Sequence, residues 1–246
     1  PGFREALFHQ TGGHALFTAE LFRSLQERGD LVRDGDKVRE TIRSQGFDGQ
    51  FFVDNAVRRD GKLSVTTNRT EVCQYFAFYF DVATPESHSE LWQRLRQHFG
   101  PQRKQTKKFP EVHPANAFVG NVLRLELLSR NGLAQQLLDE SLAYQLYMVE
   151  RTGTLWENDG AYASCNHGFA SHIVHTLYRD VLGARTIDRV GKRVLVRLQP
   201  LDLQWCEGSI PTPDGPVAIE WRRDGEVIRP ELVSVYIYKA LESGIE

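Results

Sequence analysis

Residues 153–183 read GTLWENDGAYASCNHGFASHIVHTLYRDVLG, and this stretch decides the fold. Its second half, from Gly168, carries apolar residues at helical spacing and stops at Gly183, where a glycine after a helix end belongs. Beyond Gly183 the period falls to two: RVLVRLQ, PVAIEWRRD, GEVIRP and VSVYIYKA are short β-branched runs separated by PTPDGP and RRDG turns. The first half is a small polar loop in which Glu157 directly follows Trp156 and which ends on the pair Asn166-His167.

Upstream, the helical period recurs in HALFTAELFRSLQERG, TEVCQYFAFYFDVA, SELWQRLRQHFG, NAFVGNVLRLELLSRNG and AQQLLDESLAYQLYMVERTG. Gly29, Gly100, Gly132 and Gly153 punctuate their ends; Thr70, Thr84 and Asn116 stand as N-caps or near-caps. A series of antiparallel helical hairpins follows. CQYFAFYF and NVLRLELL are apolar on more than one side, which predicts an inner layer of helices with neighbours on both flanks. The expected architecture is mainly α, residues 1–184, followed by a small antiparallel β-module, residues 185–246.

The 246 residues carry 30 basic and 32 acidic side chains, so no electrostatic footprint for nucleic acid or an anionic membrane exists. No apolar run reaches the roughly 20 residues that span a bilayer. The three cysteines are widely spaced and odd in number, which predicts free thiols. His172 and His175 lack a neighbouring acid, and HExxH is absent, so neither a metal nor another cofactor is expected. No compartment is indicated. The chain begins at proline, and we expect a piece of something longer.

Several polar residues admit bland readings. Asp54 and Asn55 suit an Asx-type turn and Glu71 a helix's first turn, although with Asp48 they could face a barrel mouth. Trp92 suits the core and RKQTKK at 103–108 a solvated mobile loop; His113 stands in a loop near a helix start, where it is also a candidate for lining the pocket.

Four stretches carry a resemblance to the bacterial α-L-rhamnosidases of glycoside hydrolase family 78 and their six-hairpin relatives: FFVDNAVRR with TTNRTEVCQYFAFYFD, GTLWE, SCNHGFASHIVHTLYRDVLG, and LDLQWCEGSIPTPDGPVAIEW. The GTLWE and Asn-His segments are the specific ones. The resemblance implies an (α/α) helical-hairpin toroid, incomplete here because seven or eight helices are counted where six hairpins need twelve. It implies a carbohydrate substrate, a terminal α-L-rhamnoside hydrolysed with inversion. Glu157 falls on the general base and His167 on a sugar contact. The general acid's loop has no counterpart, so an N-terminal part of the same enzyme is expected outside this chain. The interval between Glu157 and His167 is shorter than the family's, which places substrate preference in question.

Inverting hydrolysis needs two carboxyl groups about 6.5–9.5 Å apart, with water between the base and the sugar. Trp156 and Asn166 complete the candidate substrate-binding set, with equally available structural roles. The indole supplies an apolar wall or packs backward to fix the loop, and Asn166 contacts ligand or caps the helix begun at His167. Two rival functions remain: another toroid glycosidase of glucosidase, trehalase or uronyl hydrolase type, and a non-catalytic sugar-binding or structural fragment.

Overall fold

The computed structural model describes residues 35–60, 62–115, 117–160, 162–225, 227–233 and 237–241. The helix expected at 14–29, with Gly29, and the cap expected at Asn116 lie outside these. The chain divides at Gln45 and Gly46 into two units. From the first unit, the helix α1, Gly35–Gly46, is described by itself. It was absent from the apolar pattern because GDKVRETIRSQG is largely polar.

From Gly46 onward, a hairpin of β1, Ala56–Arg59, and β2, Lys62–Val65, precedes the helices. Then come α2, Glu71–Tyr79; α3, Ser89–His98; α4, the single turn Arg103–Thr106; α5, Phe118–Arg130; and α6, Ala134–Thr152. The last helical segment runs through three windings: a 3₁₀ turn at Gly168–Ser171, α7 at His172–Thr176, and a π turn at Leu177–Val181. α5 packs against α2, α6 and this last segment, and Leu123, Leu125, Leu127 and Leu128 are all buried on it. This inner position is the reason for its all-round apolarity. α2 is less enclosed, since Phe76 and Phe80 are exposed and stack on each other at 5.9 Å.

The main core joins Phe51, Phe52, Tyr75, Phe78, Leu91, Trp92, Leu95 and Phe99. Trp92 sits there as expected, its ring 5.3 Å from that of Phe78. Beside it lies a buried polar network at the start of α2. Thr70 caps the helix, its hydroxyl accepting from the Cys73 N–H at 3.1 Å. Glu71, with no exposed surface, accepts from the N–H groups of Gly100 (2.8 Å) and Ala115 (3.1 Å), from Arg103 Nη1 (3.0 Å) and from the Tyr75 hydroxyl. A buried carboxylate persists only when so completely partnered.

Arg103 corrects one expectation. It opens the RKQTKK run yet is 4% exposed, donating also to the Phe109 carbonyl at 2.7 Å and lying over the Phe99 ring at 4.5 Å. Nearby, Arg124 clasps Glu140 and donates to the Leu95 carbonyl at 2.8 Å. Gly100, at φ +102, leaves the space: a Cβ there would stand 2.6 Å from Arg124 Nε.

The 46–55 turn also differs in detail. Asp48, not Asp54, makes the Asx turn, its Oδ1 accepting from the N–H groups of Gln50 and Phe51 at 2.9 Å. Asp54 instead reaches across to Thr70, taking its N–H at 2.8 Å and its hydroxyl at 2.9 Å. Thr84 pairs reciprocally with Ser87, and His88 occupies the cap position of α3.

Strands follow the helices. β5 (Trp205–Ile210), β6 (Val217–Asp224) and β7 (Val227–Val233) form an antiparallel sheet, joined by the expected PTPDGP and RRDG turns. β3 (Ala184–Asp188) and β4 (Arg193–Arg197) pair antiparallel, but β8 (Ile237–Leu241) lies parallel to β4, which corrects the all-antiparallel expectation. Alternation on β6 turns Val217, Ile219 and Trp221 inward. The Trp221 Nε1 donates to the Val181 carbonyl at 3.1 Å, and its ring shares a core with Ala134, Val181 and Leu201.

Candidate functional site

The loop after α6 begins with a reversal that glycine makes possible. Gly153 adopts φ +68, and its N–H closes the helix on the Val149 carbonyl at 2.8 Å. The chain then doubles back on itself. The Glu157 N–H donates to the Ser164 carbonyl at 2.9 Å, and the His167 N–H to the Leu155 carbonyl at 2.8 Å. The Glu157 carbonyl accepts from the Phe118 N–H at 2.8 Å, and Asn158 bridges to Ala117. A ladder thus fixes the loop to itself and to the first turn of α5.

On this arm the Glu157 side chain is partly exposed. The Ser164 N–H approaches its Oε2 at 3.4 Å, which is long for a charge-assisted hydrogen bond. The carboxylate is therefore only lightly held by its own loop.

Trp156 points the other way. It is 3% exposed, packed with Tyr144, Met148 and Cys165, and its Nε1 donates to the Thr152 hydroxyl at 2.8 Å. Of the two roles open to it, the backward-packing one describes its position. Alternation along the extended arm explains this, because neighbours on a strand-like segment face opposite sides.

Asn166 is exposed. The helical segment starts at Gly168 with His167 in the cap position and no side-chain cap bond, so Asn166 does not cap it. Its main chain is braced by Ser164, whose hydroxyl donates to the Asn166 carbonyl at 3.2 Å.

His167 packs against two phenylalanines, 4.7 Å from the Phe118 ring and 5.6 Å from that of Phe169. Its Nε2 is buried without a hydrogen-bond partner among the described residues. Phe169 is 75% exposed and stacks with Phe118 at 6.1 Å. Phe118 joins the two candidates, with its backbone on Glu157 and its ring on His167. His113 lies apart from this group, exposed and paired through its backbone with Arg69 and Glu71.

Phe118 and Phe169 escaped the sequence reading because each is also a regular member of a helical apolar pattern. The available signal was position: each stands at the very start of its helix, where an apolar residue has little core to reach. Asp159 was also passed over; with Asn121 and Tyr144 it lines a small cleft floored by Glu71 and Arg124.

No family model matches the chain, and no curated protein matches its sequence. Among solved structures, the GH78 family rhamnosidase of Bacillus sp. GL1 is similar to it with a TM-score of 0.65 and 21% identity, over 84% of this chain and 22% of that one. The chain therefore spans about a fifth of the rhamnosidase it matches, and the likeness is one of fold: helices followed by small sheets.

Proposed function

We propose that this chain is part of a glycoside hydrolase that removes terminal α-L-rhamnosyl groups with inversion, and that Glu157 is its general base. The observation that carries the reading is the fold similarity to a GH78 rhamnosidase, together with a hydrogen-bonded arm that bears a lightly bonded carboxylate and whose backbone is tied to Phe118, the ring partner of His167 and Phe169.

In this reading water sits between Glu157 and the anomeric carbon. The carboxylate takes its proton as the C–O bond to the leaving group breaks, and an acid on the opposite face protonates the departing oxygen. We assign that acid to polypeptide beyond this chain. The ladder from Leu155 to His167 supplies the fixed geometry that a base requires. The buried Nε2 of His167 is suited to a sugar hydroxyl, since a buried polar atom left unsatisfied costs about 1–3 kcal/mol. Exposed aromatic faces beside it suit the C–H side of a pyranose. Trp156 is assigned to support of the arm, not to the sugar. The helical-hairpin toroid is part of the same proposal.

The test is hydrolysis of p-nitrophenyl α-L-rhamnoside by the longest polypeptide that carries this chain, with the anomer released first identified by proton NMR. The α-glucoside and an unsaturated uronide serve as comparisons. Release of the β-anomer from the rhamnoside supports the reading. Preference for another glycoside favours the other toroid enzymes, and a protein that binds but hydrolyses none of them is the non-catalytic module.

A further inference from the structure

The Glu157 arm does not account for a ligand-sized hollow at the junction of helices and strands. A cavity of about 440 Å³ opens between the last helical segment, β3 and the end of β5, within the range of small-molecule sites. No described residue of the 153–169 loop lines it.

Three features define what it would take. First, two of its walls, Tyr178 and Arg179, belong to the π turn at Leu177–Val181, and such turns within helices concentrate at functional sites. Tyr178 is anchored as a wall, its hydroxyl donating to the Ser209 carbonyl at 3.2 Å. Second, the two guanidinium groups already stand in ion pairs. Arg179 pairs with Glu126 at 2.9 Å and Asp180 at 2.8 Å, and Arg185 lies 3.5 Å from Asp180. Two guanidinium groups face two carboxylates, so an anion gains no net attraction and would have to compete with existing pairs. Third, the rest of the lining is mainly apolar, with Val174, Ile187, Ile210 and the Tyr178 ring, and has Thr186, Ser209 and His175 as its polar residues. Hydroxyl groups set beside apolar surface, with balanced charge, match an uncharged polyol that has one apolar face.

We propose that this cavity is a second binding site, separate from Glu157, for a neutral pyranoside. It needs no hydrolysis at the arm and stands or falls independently of it.

The experiment is a titration of the ¹⁵N-labelled 246-residue chain with methyl α-L-rhamnopyranoside, followed by amide NMR, with inorganic phosphate as the charged comparison. Saturable shifts are expected at Arg185–Ile187 and at Ser209 and Ile210, with affinity at these amides unchanged in Glu157→Gln. Thr186→Val, a surface replacement of equal shape, and Tyr178→Ala should each weaken binding about tenfold, the size of one lost polar or stacking contact. Absence of saturable shifts, shifts confined to residues 155–167, unchanged affinity in both cavity variants, or equal response to phosphate would overturn the proposal.

Discussion

At the scale of single residues, the side chains of Trp156 and Glu157 are neighbours in sequence with opposite surroundings. That an acid follows an indole was legible; which of the two faced the core was not, because alternation fixes opposition and leaves the sense to packing. The tie from Trp156 Nε1 to Thr152 settles it. Trp156→Ala should therefore lower unfolding free energy by about 3–5 kcal/mol in urea titrations, an effect that a solvent-facing aromatic would not produce. The two phenylalanines around His167 were hidden by their helical periodicity. Asn166 illustrates a different limit: its composition suits a cap, but the helix starts two residues later.

At the scale of elements, the positions of α2, α3, α5 and α6 were readable because each buries an apolar stripe and ends on a glycine or turn, whereas the polar single turn α4 lay inside a run read as a loop. Buried ion pairs were not readable, since nothing local distinguishes Arg103 from the solvated basic residues beside it. Its partner, Glu71, stands 32 positions earlier. Arg103→Leu should cost about 3–5 kcal/mol by leaving that carboxylate buried and unpaired, measured as a shift in denaturation midpoint at constant slope. A change no larger than for an exposed lysine would contradict the network.

The last helical segment carries a pH dependence. Burial holds the His172 imidazole below its usual 6.5, with the nearby His175 and Arg179 acting in the same direction and the Ala170 carbonyl and Glu126 against it. The folded chain then binds a proton less readily than the unfolded chain. Stability is full above about pH 6.5 and falls as pH drops from there through the folded value. Thermal melts of His172→Phe between about pH 7.5 and 5 should show a shallower decline than the parent; parallel declines would remove His172 as the cause.

At the scale of the whole molecule, the change of period at Gly183 announced strands after helices, and the structure has β3 starting at Ala184. The parallel pairing of β8 with β4 was invisible, because pairing between distant strands leaves no mark on either one's pattern. From Gly46 onward, helices and sheets share buried surface through Trp221, Val181, Ala134 and Leu201. Such a shared core predicts one cooperative transition for helix and strand signals alike. Separate melts by circular dichroism and by Trp221-sensitive fluorescence would contradict it.

The glycosidase reading rests on Glu157 as the base, and one rate comparison tests it. In the longest polypeptide that carries this chain, Glu157→Gln should reduce turnover of p-nitrophenyl α-L-rhamnoside by at least about a hundredfold with an almost unchanged melting temperature. Turnover equal to that of the parent would remove Glu157 from the mechanism.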